Sequence, residues 1–322
     1  MLSTGAQARL CSIPNADSDV ESAKIIIRGT GHGVWPLLDN GTGNSRYVIV
    51  KVDRVISGSL HLPYVLANAP CANASTQGPM LVFLTEGNFG VYQTVNESGM
   101  LSASEKAPVA TSTDPREAVV AELLEAVKVP ALRTEALTQL NALSPQAANK
   151  AAEGVVADQD PHVRSTANLV LASNGSTDAV SRIVQTLLSD DMNIDYPNDW
   201  TGLRYSTDMA KLNSIIRQGM VAEHLKGEQM KIALPLLQHK NHRVRRSAAY
   251  GLRQAASLSL MPDLLKALED SDSGVRYNAM MGICMMAHRP GTCPATHLFE
   301  SDEKRYIAMA QEMAKDLKRG NK

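Results

Sequence analysis

Val244-Arg245-Arg246-Ser247-Ala248 is followed, 31 residues on, by Val275-Arg276-Tyr277-Asn278-Ala279. The same apolar–Arg–x–x–Ala word stands upstream as Leu132-Arg133-Thr134-Glu135-Ala136 and Val163-Arg164-Ser165-Thr166-Ala167, and those two arginines are also 31 residues apart. A word that recurs with a period of about 20–50 residues marks a repeat array. Each downstream copy opens a stretch with helical apolar spacing: Val244, Ala248 and Leu252, then Val275, Ala279 and Ile283, fall at i, i+4 and i+8. A second apolar segment follows, as in Met261 to Leu268. Such a helical hairpin buries its apolar face only by stacking on neighbours.

Asp160-Pro161-His162-Val163-Arg164 and Asp272-Ser273-Gly274-Val275-Arg276, each followed by x-x-Ala, resemble the HEAT-repeat family. The resemblance covers residues 114–322 and implies an α-solenoid of about five helical hairpins. By that likeness the apolar residue anchors the first helix, and the Arg bonds to the preceding turn through an acidic residue, Asp160 or Asp272. A solenoid is a scaffold, so its ligand is set by its surface. The period breaks once: 81 residues separate Arg164 from Arg245, nineteen more than two periods. The excess falls in an insertion near 191–206, which carries Asp195, Tyr196, Asp199, Trp200 and Tyr205. Aromatics in polar company anchor proteins and peptides, so these five are the candidate partner-binding residues. The alternative is a loop whose aromatics fold down to cover a divergent repeat.

Before residue 96 the pattern changes. Residues 1–22 are small and polar. Ala23–Gly29, Arg46–Ile56, Leu60–Ala67, Pro79–Thr85 and Phe89–Thr94 then read as short strands separated by Gly, Asn and Ser. Five or six strands without helical period predict a small closed or partly closed barrel. Ala-Lys-Ile-Ile-Ile-Arg-Gly29, Tyr47-Val-Ile-Val-Lys-Val-Asp-Arg-Val-Ile-Ser-Gly58, Cys71 and Gly78-Pro-Met-Leu-Val-Phe-Leu84 resemble the netrin-type, OB-like barrel of tissue inhibitors of metalloproteinases. That family's inhibitory edge is an N-terminal Cys-x-Cys. Here Cys11 follows ten residues and precedes Ser12-Ile13, so inhibition does not carry over. Phe83, Phe89 and Tyr92 are expected in the core rather than as a stacking platform for bases. Gly29-Thr-Gly-His-Gly33 follows a strand without opening a helix and reads as a barrel turn. The expected organisation is a multidomain chain: a barrel over 1–95, a linker over 96–113, and the helical array over 114–322.

Lys and Arg number 32 against 33 Asp and Glu, which argues against a dedicated binder of nucleic acid or anionic membrane. No apolar run reaches the roughly 18 residues of a membrane span. Residues 1–22 also lack a signal-peptide core. Of the four cysteines, the short separation pairs Cys284 with Cys293, and the netrin-like resemblance implies Cys11 with Cys71. Two disulfides place the chain in the periplasm or outside the cell; free thiols return it to the cytoplasm. Zinc at Cys284, His288, Cys293 and His297 ranks last, because the turn between the two arms is too tight. His239 and His242 read as a solvated pair. Arg243, Arg245, Arg246 and Arg253 form a basic patch offset by Glu269, Asp270 and Asp272. No Gly-x-Ser-x-Gly, His-Glu-x-x-His or phosphate-cradling loop is present, so no catalytic, cofactor or metal site is expected. The expected function is a non-enzymatic scaffold for a protein or peptide. The alternatives are a nucleic-acid-binding OB–HEAT adaptor and a HEAT-type enzyme such as a bilin lyase or DNA-repair glycosylase.

Overall fold

The computed structural model describes residues 15–36, 46–69, 77–88, 91–95, 99–109, 112–189, 229–255, 257–287 and 293–320. The chain divides into two compact units, Met1–Val155 and Val156–Lys322.

In the first unit, β1 (Ile25–Pro36), β2 (Arg46–Ser57), β3 (Tyr64–Asn68), β4 (Gln77–Asn88) and β5 (Val91–Thr94) close a barrel in the order 1-2-3-5-4-1. β3 and β5 run parallel and the other neighbours antiparallel. Period-2 alternation fills the interior with Ile27, Val48, Val50, Val65, Ala67, Met80, Val82 and Leu84. β1 continues through Gly29–Gly33, with shifts of register against β2 at Arg28/Gly29 and between Gly31 and Val34, which corrects the expected turn. A Cβ on Gly29 would lie 2.5 Å from the Lys51 carbonyl oxygen, so glycine is there to let β2 approach. Part of the expected linker also belongs to the sheet: β6 (Met100–Ser102) pairs with β4, and Ala103 is buried.

Leu81 and Phe83 alternate with the interior residues of β4 and so face outward, yet both are fully buried. Helices cover that side. α1 (Ala16–Ser22) touches β4, and α2 (Pro115–Val127) touches β2. α1 lies in the segment expected to be featureless; Asn15 caps it by accepting from the Asp17 and Ser18 amides. Its Ala16 amide donates to Gln139 Oε1 of α3 (Arg133–Leu143) at 2.8 Å, and Asp17 pairs with Arg116. α4 (Pro145–Glu153) completes the unit.

Asp114 caps α2 and Pro115 takes its first position, as the sequence predicts. Its apolar face carries one charge. Glu122 is 1% exposed and sits among Val119, Leu123 and Ala126. It is held by Arg28 of β1 and, at 2.7 Å, by Arg54 of β2. Arg28 also donates to the Ser104 carbonyl, tying the segment after β6 to the barrel. Burial pushes the Glu122 carboxyl above its ordinary range, against the pull of both arginines.

The second unit begins with a hairpin of α5 (Pro161–Ser173) and α6 (Thr177–Ser189), joined across its length by Arg182 Nε donating to Asn168 Oδ1 at 2.8 Å. α7 (Gln229–Ala233) continues into a 3-10 turn over Leu234–Gln238; α8 (His242–Ala255), α9 (Met261–Ala267), α10 (Ser273–Met286), α11 (Thr296–Ser301) and α12 (Glu303–Gly320) follow. α8 and α10 pack closely at Gly282, where a Cβ would meet the Arg253 backbone and the Leu264 side chain at 3.2 Å.

All four Arg words lie at helix starts. The Ala of each word is buried: Ala136, Ala167, Ala248 and Ala279. The Arg of each word reaches back to the carbonyl six residues before it: Arg133 to Val127, Arg164 to Asp158, Arg245 to His239, Arg276 to Asp270. The expected acidic link through Asp160 and Asp272 is thereby corrected. Both acids cap helices instead, accepting from the His162 and Val275 amides. Backbone carbonyls in the turn lack intrahelical donors, and a guanidinium supplies several at once.

The buried Glu122 cluster generates a stability prediction. Glu122→Gln leaves Arg28 and Arg54 without a counter-charge and should destabilise the first unit by about 3–5 kcal/mol. The triple variant Arg28→Met/Arg54→Met/Glu122→Leu, which removes all three charges, should recover much of that loss. Denaturant unfolding of the two variants beside the parent chain checks both.

Candidate interaction surface

Among the described residues of the first unit, helices cover the side of the barrel that carries Leu81 and Phe83. Along β2, β3 and β5 the alternation leaves Ile49, Lys51 and Asp53, then Tyr64, Leu66 and Asn68, then Val91 and Gln93 on the outside. Strand register assembles these into rows. Ile49 lies opposite Leu66, and Leu66 opposite Val91, giving an aliphatic row across three strands in which Ile49 and Leu66 are half-buried and Val91 is exposed. The next row sets Lys51 beside Tyr64, and the row on the other side sets Tyr47, Asn68 and Gln93 together. Leu62, just before β3, is 40% exposed, Tyr64 52% and Val91 36%. The His32 ring lies 6.4 Å from that of Tyr64 and extends the patch onto β1. Asp53 accepts a hydrogen bond from the Thr30 hydroxyl at 2.8 Å.

Chemically this face suits apolar contact. Lys51 and Asp53 balance each other, and the centre is aliphatic. A single-stranded nucleic acid needs cations along a groove and aromatic faces for its bases. Phe83 is fully buried and Tyr92 packs against the barrel interior, as expected of core residues. Phe89 lies outside the described residues.

Other charged groups are engaged within the fold. Arg245 makes a two-pronged pair with Asp270 at 2.8 and 3.0 Å, and Arg246 pairs with Asp272 at 2.8 Å. Burial pushes both carboxyls up, but the arginine hydrogen bonds, a backbone amide and the arginine charge together hold them below the usual range. Arg253 lies over the Tyr250 and Tyr277 rings, 5.5 and 5.9 Å from their centroids. The basic patch is therefore largely spent on structure. His239 is corrected from solvated to buried: it is 6% exposed, and its Nδ1 accepts from the Asn241 amide at 3.0 Å. A cleft of about 540 Å³ beside α7 and α9 mixes Lys231 and Lys266 with Asp263 and Glu269, over Leu234, Leu237 and Ala267.

The partner-binding candidates Asp195, Tyr196, Asp199, Trp200 and Tyr205 lie outside the described residues, as do Cys11, Cys71 and His288. Cys284 and Cys293 are described. Both stand as thiols, Cys284 buried and Cys293 half-buried, and Cys293 is near enough to act on the Cys284 thiol. Among the described residues no three His, Cys, Asp or Glu side chains gather as a metal-holding group, and no helix is long and apolar enough to cross a membrane. The aliphatic row escaped sequence reasoning because it exists only once three strands are in register.

No family model and no curated protein sequence matches this chain. Among solved structures, an engineered protein is 18% identical, over 65% of this chain and 94% of its own, with a TM-score of 0.33. Human deoxyhypusine hydroxylase in complex with glycerol is also 18% identical, over 62% of this chain and 85% of its own, with a TM-score of 0.24. Neither likeness is tight enough to speak for fold or activity.

An uncovered face contributes little to stability. Leu62→Ser and Val91→Thr should each change unfolding free energy by less than about 0.5 kcal/mol. Thermal melting checks this, and a loss of about 2 kcal/mol would mean that the chain packs this face itself.

Proposed function

We propose that the protein is a non-enzymatic scaffold that binds a protein or peptide, with the outer face of β2, β3 and β5 as its docking surface. The aliphatic row Ile49–Leu66–Val91, extended by Leu62 and Tyr64, carries this reading. Exposed apolar rows rimmed by polar residues are the usual signature of a protein contact. A closed barrel has no free edge along these strands, so the partner binds through side chains and not by adding a strand.

The architecture behind this reading is an OB- or netrin-like barrel with a HEAT-type solenoid. The 1-2-3-5-4-1 order with β3 parallel to β5 supports the first part. The arginine–carbonyl bond repeated at four helix starts supports the second. The insertion near 191–206 would add a second contact on the helical part. Export to the periplasm or exterior accompanies this reading; it would require the cysteines to be bridged in the native protein, as an oxidising compartment favours.

Capture of partners from an envelope fraction tests the proposal. The parent chain should retain a protein, and Leu62→Asp/Val91→Asp should weaken that capture by at least about tenfold, as loss of interface anchors does. Retention of labelled single-stranded DNA by the parent, with no protein, would overturn it in favour of a nucleic-acid adaptor. Turnover of a small molecule would overturn it in favour of an enzyme.

A further inference from the structure

Cys284 lies two turns along α10 from Tyr277, on the same side of the helix. It is fully buried, with its Sγ 3.8 Å from the Met280 sulfur. Tyr277 donates its hydroxyl to the Pro294 carbonyl at 3.4 Å, and its ring sits 5.4 Å from that of the buried Phe299. The chain therefore returns along α10 at residues 293–294, held there from one end by Tyr277. Toward the other end Cys293, half-buried and next to Pro294 in the chain, is a neighbour of the Cys284 thiol. The two sulfurs differ in environment. One is inside the helix packing, the other at its rim.

We infer that Cys293 and Cys284 form a thiol–disulfide exchange pair, in which the rim thiol Cys293 attacks a small-molecule disulfide and the buried Cys284 resolves the product. The co-reactant is a low-molecular-weight disulfide such as oxidised glutathione. Cys293 loses its proton and its sulfur attacks one sulfur of the reagent. The reagent's S–S bond breaks, one thiolate departs and takes up a proton, and a mixed disulfide remains on Cys293. Cys284 then attacks Cys293 Sγ, its proton passing to the second departing thiolate. The protein's two thiols are oxidised to one disulfide while the reagent is reduced to two thiols.

The order of events follows from access and acidity. Burial first, and then the neighbouring Cys293, push the Cys284 thiol far above the ordinary cysteine range, so it is a poor first nucleophile. Cys284 gains reactivity only when a disulfide is delivered beside it. Its full burial, with Met280 packed against its sulfur, keeps bulky reagents away from it until then. The inference stands apart from the docking face, and its outcome leaves that proposal untouched.

Oxidised glutathione added to the reduced full-length chain, followed by acid quenching, alkylation and peptide mass spectrometry, tests the pair. The expected result is a Cys284–Cys293 linked peptide in the parent chain and a persistent glutathione adduct on Cys293 in Cys284→Ala. In Cys293→Ala, adduct formation at Cys284 should be slower than at Cys293 of the parent by more than about tenfold, reflecting its smaller thiolate fraction. Iodoacetamide labelling of the untouched, reduced parent needs no variant and should modify Cys293 before Cys284. Modification of Cys284 first, a glutathione adduct on Cys293 that never closes in the parent, retention of both thiols, or a bridge from either to Cys11 or Cys71 would each overturn the inference.

Discussion

A guanidinium that reaches back to the main-chain carbonyl six residues earlier recurs at the start of α3, α5, α8 and α10. In α3, α5 and α8 the same side chain also contacts the carbonyl five residues back. The physical need is plain. A helix or turn that ends just before another helix leaves carbonyls with no intrahelical donor, and burial makes an unmet acceptor costly. Arg answers several of them with a planar fork that is always charged; Lys offers only a mobile point charge. The rest of the word follows from the same turn: the buried Ala three residues on lets the helix pack closely, and the apolar residue before the Arg points inward at Val163, Val244 and Val275.

That commitment decides where function is found. Arg245 and Arg276 extend their forks further, to Asp270 and Glu303, and Arg246 pairs with Asp272. At these three arginines, positive charge that looks available in the sequence is neutralised within the helical part. In the first unit Arg28 and Arg54 of the barrel are drawn to Glu122 in the same way. The aliphatic row across β2, β3 and β5 is by contrast free of charged side chains, and it is the surface on which the proposed docking rests.

The repeated word, the helix starts at Asp114 and Asp160, and the strand-rich first hundred residues were legible because each rests on spacing along the chain. Glu122 was not. Its partner Arg28 lies 94 residues away, and a glutamate on an apolar helix face looks like an ordinary interruption until the arginines are placed beside it. α1 hides for a related reason: a seven-residue helix has too little period to read, and its support comes from Gln139 and Arg116. Gly29–Gly33 resembles a turn because glycine is permissive of both, and only the approach of Lys51 shows why a strand needs it there. On the barrel, β1 and β4 are buried on both faces, so alternation alone does not reveal which side is open.

The claim that the repeated arginine is a structural staple is tested most directly by amide hydrogen exchange of Arg245→Met against the parent chain. Arg245 donates to His239 and Lys240 carbonyls and pairs with Asp270. The account predicts that protection falls by at least about tenfold across residues 239–255 and the turn at 270–272, as expected when a local unit loses more than about 1.4 kcal/mol. Unchanged protection there, with partner capture lost, would contradict it and return this arginine to the binding surface.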